Sequence, residues 1–310
     1  LNKRNDDSAA ATAASMPNEM SREPGLPVSP VLNLGRKTER RGGARGRAKD
    51  RGPDDRQFIN SLSRGLQVLV AICDAADGLG NQEIADRVTL PGPTVSRITH
   101  TLTALGYLTC VEKSGKYRIG SGVLPFWRGY LTSMQILEFA RSHMREFAIK
   151  TRSTVALGDR DRAHIVYLDV EREVSTMLLS QEVGSKMPLE RSAAGWAWLS
   201  AAPEGLRAAA YSQLEKCAGS GEWPFWLAKI EAARRDVEQR NFCGNFGDWM
   251  PEINAVAAPL VAPDRTQILT ISCGGPAFAF DVDRMESDIG PRIAALVRTV
   301  RAEAIARGIW

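Results

Sequence analysis

Between Ser61 and Leu105 apolar residues return at helical intervals three times: Leu62, Leu66, Leu69 and Ile72; then Ile84, Ala85 and Val88; then Val95, Ile98, Leu102 and Leu105. Each run predicts a short helix with one buried stripe. Asn81 is placed to cap the second helix, and Pro93 suits the first turn of the third. Only residues 89–93 separate these two, which predicts a helix-turn-helix. Beyond Gly106, residues 107–112 and 117–119 read as strands around Lys113-Ser114-Gly115-Lys116, a hairpin signal. Three helices followed by a hairpin make a winged helix-turn-helix.

With its stripe turned inward, the third helix is left with Pro93, Thr94, Ser96, Arg97, Thr99, His100 and Thr101 on its other faces, and no carboxylate among them. A helix entering the negative field of a DNA groove needs that absence of acid. Lys113 and Lys116 at the hairpin tip suit phosphate. Double-stranded DNA is therefore the expected partner, contacted by Pro93, Thr94, Ser96, Arg97, His100, Thr101, Lys113 and Lys116.

The pattern then changes. A linker helix is expected near 126–131, and an amphipathic helix over 135–150 with Ile136, Ala140, Met144, Phe147 and Ala148 inward. Segments 154–157, 164–170 and 175–181 read as antiparallel strands, followed by helices at 194–201, 203–211 and 224–241. Strands at 254–262 and 267–273 share the turn 263–266, and a last helix over 282–307 has Asp281 as its N-cap. Helices around an antiparallel sheet predict an α+β domain.

Composition adds little except at the N-terminus. The chain has 310 residues and a formal charge of +4, but residues 36–56 are dense in Arg and Lys. Residues 1–55 lack apolar periodicity and read as a disordered basic tail, either an electrostatic arm for DNA or a solvated extension. The chain begins with Leu1, so Met16 or Met20 is a candidate start of translation. Five scattered cysteines without a Cys-x-x-Cys pair read as reduced thiols of a cytoplasmic protein. No apolar run is long enough for a membrane span.

Ser61-Leu62-Ser63-Arg64-Gly65-Leu66, Glu83-Ile84-Ala85 and Leu105-Gly106-Tyr107 resemble the winged segment of the IclR family of bacterial transcriptional regulators. Val183-Gly184-Ser185-Lys186-Met187-Pro188-Leu189, Ala194-Gly195, Val256-Ala257-Ala258-Pro259 and Gly275-Pro276 follow in that family's order, so the resemblance extends over about residues 58–307. It implies a GAF-like effector domain, a homodimer or homotetramer, and control of a catabolic operon in response to a small organic acid. The expected division is 1–55 tail, 56–124 winged helix-turn-helix, 125–134 linker helix and 135–310 effector-binding and oligomerisation domain.

The resemblance maps a ligand pocket onto Thr176, Leu179, Met187, Ala193, Ala194, Asn245, Ile253, Ala255, Ser272 and Gly274. Free backbone N–H groups where residues 192–195 open a helix would hold a carboxylate there without a cationic side chain. Gly195-Trp196 replaces the family's usual Gly-Lys pair, Ala255 a common cysteine and Gly274 a common serine. With Phe246 and Trp249 nearby, these changes predict a roomier, more apolar pocket suited to an aromatic acid. The alternative is that residues 192–195 are small only to let a helix pack closely, and that the second domain only oligomerises.

Chemistry of other kinds finds little footing. The chain lacks a nucleophile elbow, a phosphate loop and a zinc-protease motif, and its three histidines, His100, His143 and His164, are not at metal-ligand spacing. Neither an enzyme nor a metal or other cofactor is expected.

Overall fold

The computed structural model describes residues 58–73, 75–173, 181–219 and 221–310. The basic tail, pocket candidates Thr176 and Leu179, and all but the last residue of the strand expected at 175–181 lie outside the described residues. Two compact units divide between Phe126 and Trp127.

In the first unit α1 (Asn60–Cys73), α2 (Asn81–Val88) and α3 (Gly92–Ala104) precede the hairpin β1 (Leu108–Val111) and β2 (Lys116–Ile119). The wing pairs Leu108 with Ile119 through Val111 with Lys116. The core joins Val68, Ala71 and Ile72 of α1, Ile84, Ala85 and Val88 of α2, Val95 of α3 and Leu108 of β1. The α2 stripe is the expected one; of the α1 stripe, Ile72 is buried and Leu69 packs against the core, but the rest is not. Leu62 and Leu66 are 60% and 55% exposed, and Leu105 is exposed as well. Two overlapping helical stripes run along α1, and the unit buries the one through Val68, Ala71 and Ile72 because that face meets α2 and the wing.

Two further expectations fail at the start of α2. Gly80 holds the capping position, and its N–H donates to the Glu83 carboxylate at 2.7 Å. Asn81 instead turns its side chain to α3, where the buried Thr99 hydroxyl lies 3.0 Å from Asn81 Oδ1. Thr99 therefore belongs to the interior and not to the DNA-facing surface. Thr99→Val keeps the shape and removes the bond, leaving the Asn81 amide unpaired, so it should cost about 1–2 kcal/mol in urea unfolding followed by circular dichroism.

In the second unit α4 (Leu124–Ser133), which begins before the division, and α5 (Gln135–Thr151) lead into β3 (Thr154–Asp161) and β4 (His164–Arg172). Then come β5 (Lys186–Pro188), α6 (Ala193–Ala201), α7 (Glu204–Ala218), α8 (Trp223–Arg240), β6 (Cys243–Phe246), β7 (Ile253–Val261) and β8 (Ile268–Pro276). The chain closes with α9 (Val282–Arg284), a π-helical turn and α10 (Gly290–Ala306). Asp281 caps α9 as expected, its carboxylate accepting from the Arg284 N–H at 2.8 Å. The strands form one antiparallel sheet ordered β5-β4-β3-β8-β7-β6. This is the α+β architecture expected.

Strand alternation gives the sheet two separate cores. Val155, Leu157, Val256, Ala258, Ile271 and Cys273 face α5 and α10, while Ala156, Ile165, Tyr167 and Ala257 face α6 and α8. A bulge opposite Leu157 and Gly158 leaves Leu168 as the extra residue on β4. It brings Asp169 toward α5, where Arg141 Nε donates to its carboxylate at 2.9 Å, and keeps Tyr167 on the α6 side.

Candidate nucleic-acid interface and ligand cavity

Pro91, at the start of α3, offers no side-chain cap, and its carbonyl accepts from both Thr94 N and Val95 N. Pro93 has no N–H, so the Gly92 N–H remains at the positive end of a 13-residue helix, a site suited to a phosphate oxygen. Pro93, Ser96, Arg97, His100 and Thr101 are exposed and Thr94 is half-buried. No acid interrupts them.

The wing departs from expectation at one of its two lysines. Lys113 is exposed, but Lys116 Nζ lies 3.7 Å from Glu83 Oε2, the oxygen that also accepts from Gly80 N. The Gly80 N–H bond, with Lys116 adding to it, holds the Glu83 carboxyl below its usual range. Lys116 is thus partly committed within its own unit. Arg118, exposed on β2, is a cation of the wing that periodicity did not single out.

In the second unit, eight of the ten pocket positions line a single cavity: Met187, Ala193, Ala194, Asn245, Ile253, Ala255, Ser272 and Gly274. The other two are Thr176 and Leu179. Tyr167, Gln181, Ser192, Trp249 and Thr154 complete its polar and aromatic wall. Among the described residues no cationic side chain lines it.

The cavity is built around the N-terminus of α6. The Ser192 Oγ accepts from Gly195 N at 3.1 Å and donates to Pro188 O at 2.6 Å, so the cap is fully used. Ala193 N and Ala194 N precede the first intrahelical bond and remain as donors at the positive end of a helix that carries no charged side chain. Asn245 ties the opposite wall to this end. Its Nδ2 donates to Arg191 O at 2.8 Å, and its Oδ1 accepts from Trp249 N at 3.3 Å.

Across from the helix, the Ser272 hydroxyl donates to the Tyr167 phenol oxygen at 3.4 Å. Burial pushes the Tyr167 phenol up, so it is neutral and its own proton is available to a ligand. Periodicity missed Tyr167 because its exposure to the cavity depends on the β4 bulge. Of the two aromatic residues expected at the pocket only Trp249 lines it; Phe246 packs against the opposite core.

The expected roominess is not open space. The cavity measures about 30 Å³, roughly one water molecule. A Cβ on Gly274 would stand 3.3 Å from Ala255 Cβ and 3.2 Å from Asn254 O. Gly274 and Ala255 are partners on adjacent strands, so a larger side chain at 274 would crowd its cross-strand neighbour. Gly195 likewise serves packing, as the alternative reading of 192–195 held, since a Cβ there would lie 2.1 Å from the Leu189 carbonyl oxygen.

Four other tryptophans, Trp196, Trp198, Trp223 and Trp226, are structural. Trp196 Nε1 donates to Glu190 O, Trp198 Nε1 to Ile268 O, and both are buried with Trp223 and Trp226 in the α6–α8 core. Among the described residues no group of histidine, cysteine or acid side chains is arranged to hold a metal ion, and no helix is long and apolar enough to cross a membrane. Cys110, Cys217, Cys243 and Cys273 are free thiols.

The IclR helix-turn-helix domain profile matches residues 61–111, and that of the bacterial transcriptional regulator IclR C-terminal domain matches residues 128–302. An HTH-type transcriptional regulator of Comamonas testosteroni, TsaQ1/TsaQ2, is 29% identical over 79% of this chain and 88% of its own. An IclR family transcriptional regulator from Brucella abortus has a solved structure that is 37% identical, covers 81% of this chain and 94% of that one, and superposes with a TM-score of 0.69. An IclR homolog from Microbacterium hydrocarbonoxydans, solved with 4-hydroxybenzoate, shares the fold at 17% identity, a TM-score of 0.63 and coverage of 78% and 99%.

Proposed function

The chain belongs to the IclR family of DNA-binding transcriptional regulators, and from that premise we propose that it senses a small organic acid, aromatic in its body, and controls a catabolic operon in response. The observation that carries this reading is the α6 cavity. Two free backbone N–H groups, Ala193 and Ala194, meet a neutral phenol and a tryptophan edge in a site without cations. Such a site favours a carboxylate at one end and an apolar ring at the other. The Microbacterium homolog, with a hydroxylated aromatic acid bound, supports the same chemistry.

An aromatic ring is several times larger than the space present, so binding requires the walls to part, with Trp249 the largest side chain among them. The ligand therefore binds an expanded form better than the form described here. That differential affinity is what a ligand needs to shift a regulator between states.

The DNA-binding unit also reads as one half of a pair. Leu62, Leu66, Leu69, Leu105 and Phe126 line an apolar groove of about 850 Å³ on the first unit. Pro93, Thr94, Arg97 and Thr101 of α3 line the same groove, so a second copy would cover only its α1 side, burying Leu62 and Leu66 and leaving the α3 residues open to DNA.

Footprinting of the purified chain on the DNA flanking its own gene, with and without benzoate-type acids, tests the whole reading. A protected site whose occupancy changes with an acid is the expected result. Ala255→Leu should fill the wall opposite α6 and weaken an aromatic acid by about 1–3 kcal/mol in calorimetric titration. Equal binding of the acid and its neutral amide would remove the carboxylate site from the reading.

A further inference from the structure

At the far end of α6 from the ligand cavity lies a second concavity, of about 420 Å³. Its walls include Ala202 at the C-terminus of α6, Glu204 and Arg207 of α7, Val261 and Arg265 at the β7–β8 turn, and Arg301 of α10. Some arginines of this unit pair with acids: Arg141 with Asp169, Arg234 with Glu231, Arg240 with Asp236 and Arg292 with Asp288. Arg207, Arg265 and Arg301 form no such pair among the described residues.

Two of the three are fixed from behind by backbone. Arg207 Nη1 donates to Ala202 O at 2.8 Å, and Arg301 Nε donates to Val261 O at 2.9 Å. Those bonds orient each guanidinium and leave the rest of its donors unpaired. Carbonyl partners carry only partial negative charge, Ala202 O as part of the C-terminal end of α6, so they offset a fraction of the guanidinium charge. Three guanidinium groups against the Glu204 carboxylate leave an excess of two positive charges along the walls. Asp264, beside Arg265, does not line the cleft but stays an anion, its carboxylate accepting from the Thr266 N–H at 3.0 Å and hydroxyl at 2.8 Å, and it offsets part of that excess.

We propose that this cleft is a second ligand site, taking a small oxyanion with two negative charges, a dicarboxylate or a phosphate. Planar guanidinium forks match the paired oxygens of either group. The volume suits a metabolite and not a polymer. Because α6 has its first turn in the first cavity and its last residues in this cleft, an anion here rests on the helix whose other end borders that cavity. The proposal does not depend on the identity of that first ligand.

Calorimetric titration of the full chain with succinate, inorganic phosphate and acetate, at constant ionic strength, tests it. Saturable binding of succinate or phosphate below about 1 mM is expected, and weaker binding of acetate. Arg301→Gln keeps a donor at the position of Nε while removing the charge. Arg265→Asn suits the left-handed backbone at that residue, where φ is 59°. Each should weaken the dianion about tenfold or more without moving the thermal midpoint, and Ala255→Leu should leave it unaffected. Failure of both dianions to saturate by about 10 mM, equal binding of acetate, or indifference to both arginine variants would overturn the proposal. Loss of dianion binding in Ala255→Leu would do the same, by placing the anion in the first cavity.

Discussion

Gly195→Ala is expected to lower the thermal midpoint by roughly 6–12 °C, the shift that corresponds to about 3 kcal/mol in a domain of this size. Alanine is the better helix former by about 1 kcal/mol, so propensity alone points the other way. Sterics decide the sign. The added Cβ would meet Leu189 O at 2.1 Å and Leu189 C and Cα at 2.6 Å, all backbone atoms that cannot rotate aside. The start of α6 must then move away from the segment after β5, taking the Ser192 cap and the Ala193 and Ala194 donors with it. Ligand binding should fall along with stability. Ala194→Gly, which removes a methyl at the adjacent position, serves as the contrast and should shift the midpoint much less. A midpoint for Gly195→Ala within about 2 °C of wild type would show that α6 and Leu189 are not in the contact described.

Arg97→Ala should weaken binding to a two-half-site operator by about 2–6 kcal/mol, because each half-site loses a contact worth about 1–3 kcal/mol. Arg97 is the arginine on the exposed face of α3, with Ser96, His100 and Thr101 beside it. Binding to unrelated DNA rests on phosphate contacts and should change far less. Lys113→Ala, at the wing tip, should act in the opposite pattern, weakening both sites alike and flattening the salt dependence. Lys116→Ala should do less than Lys113→Ala, since its charge is already shared with Glu83. Electrophoretic mobility shift at several salt concentrations separates these cases. Unchanged operator affinity for a folded Arg97→Ala protein would mean that another face of α3 reads the bases.

The winged helix was legible because its signals are local. The α2 stripe, the proline at the start of α3 and the glycine in the wing each act within a few residues of themselves. The α1 stripe was misassigned because Leu62, Leu66 and Leu69 mark a helical face as regular as the one through Val68, Ala71 and Ile72. Choosing between them requires knowing where α2 and the wing lie. In the second unit the long strands β7 and β8 announced themselves. The three-residue β5 and the glycine-containing β6 did not, since each is a strand only by virtue of its neighbour. The cavity residues came from resemblance, and the geometry brings eight of them together. Its volume could not be read from residue sizes, because it is set by how the sheet, α6 and the segment around Trp249 meet and not by the small side chains alone.

The alternation that gives the sheet two cores also separates two kinds of inheritance. On β8, Ile271 and Cys273 look toward α5 and α10 while Ser272 and Gly274 look into the cavity, and on β7 Val256 and Ala255 divide in the same way. Adjacent positions in one strand thus answer to different demands, one to the framework and one to the ligand. A lineage can exchange every second residue, acquiring a taste for a new nutrient, without disturbing the scaffold that carries the signal.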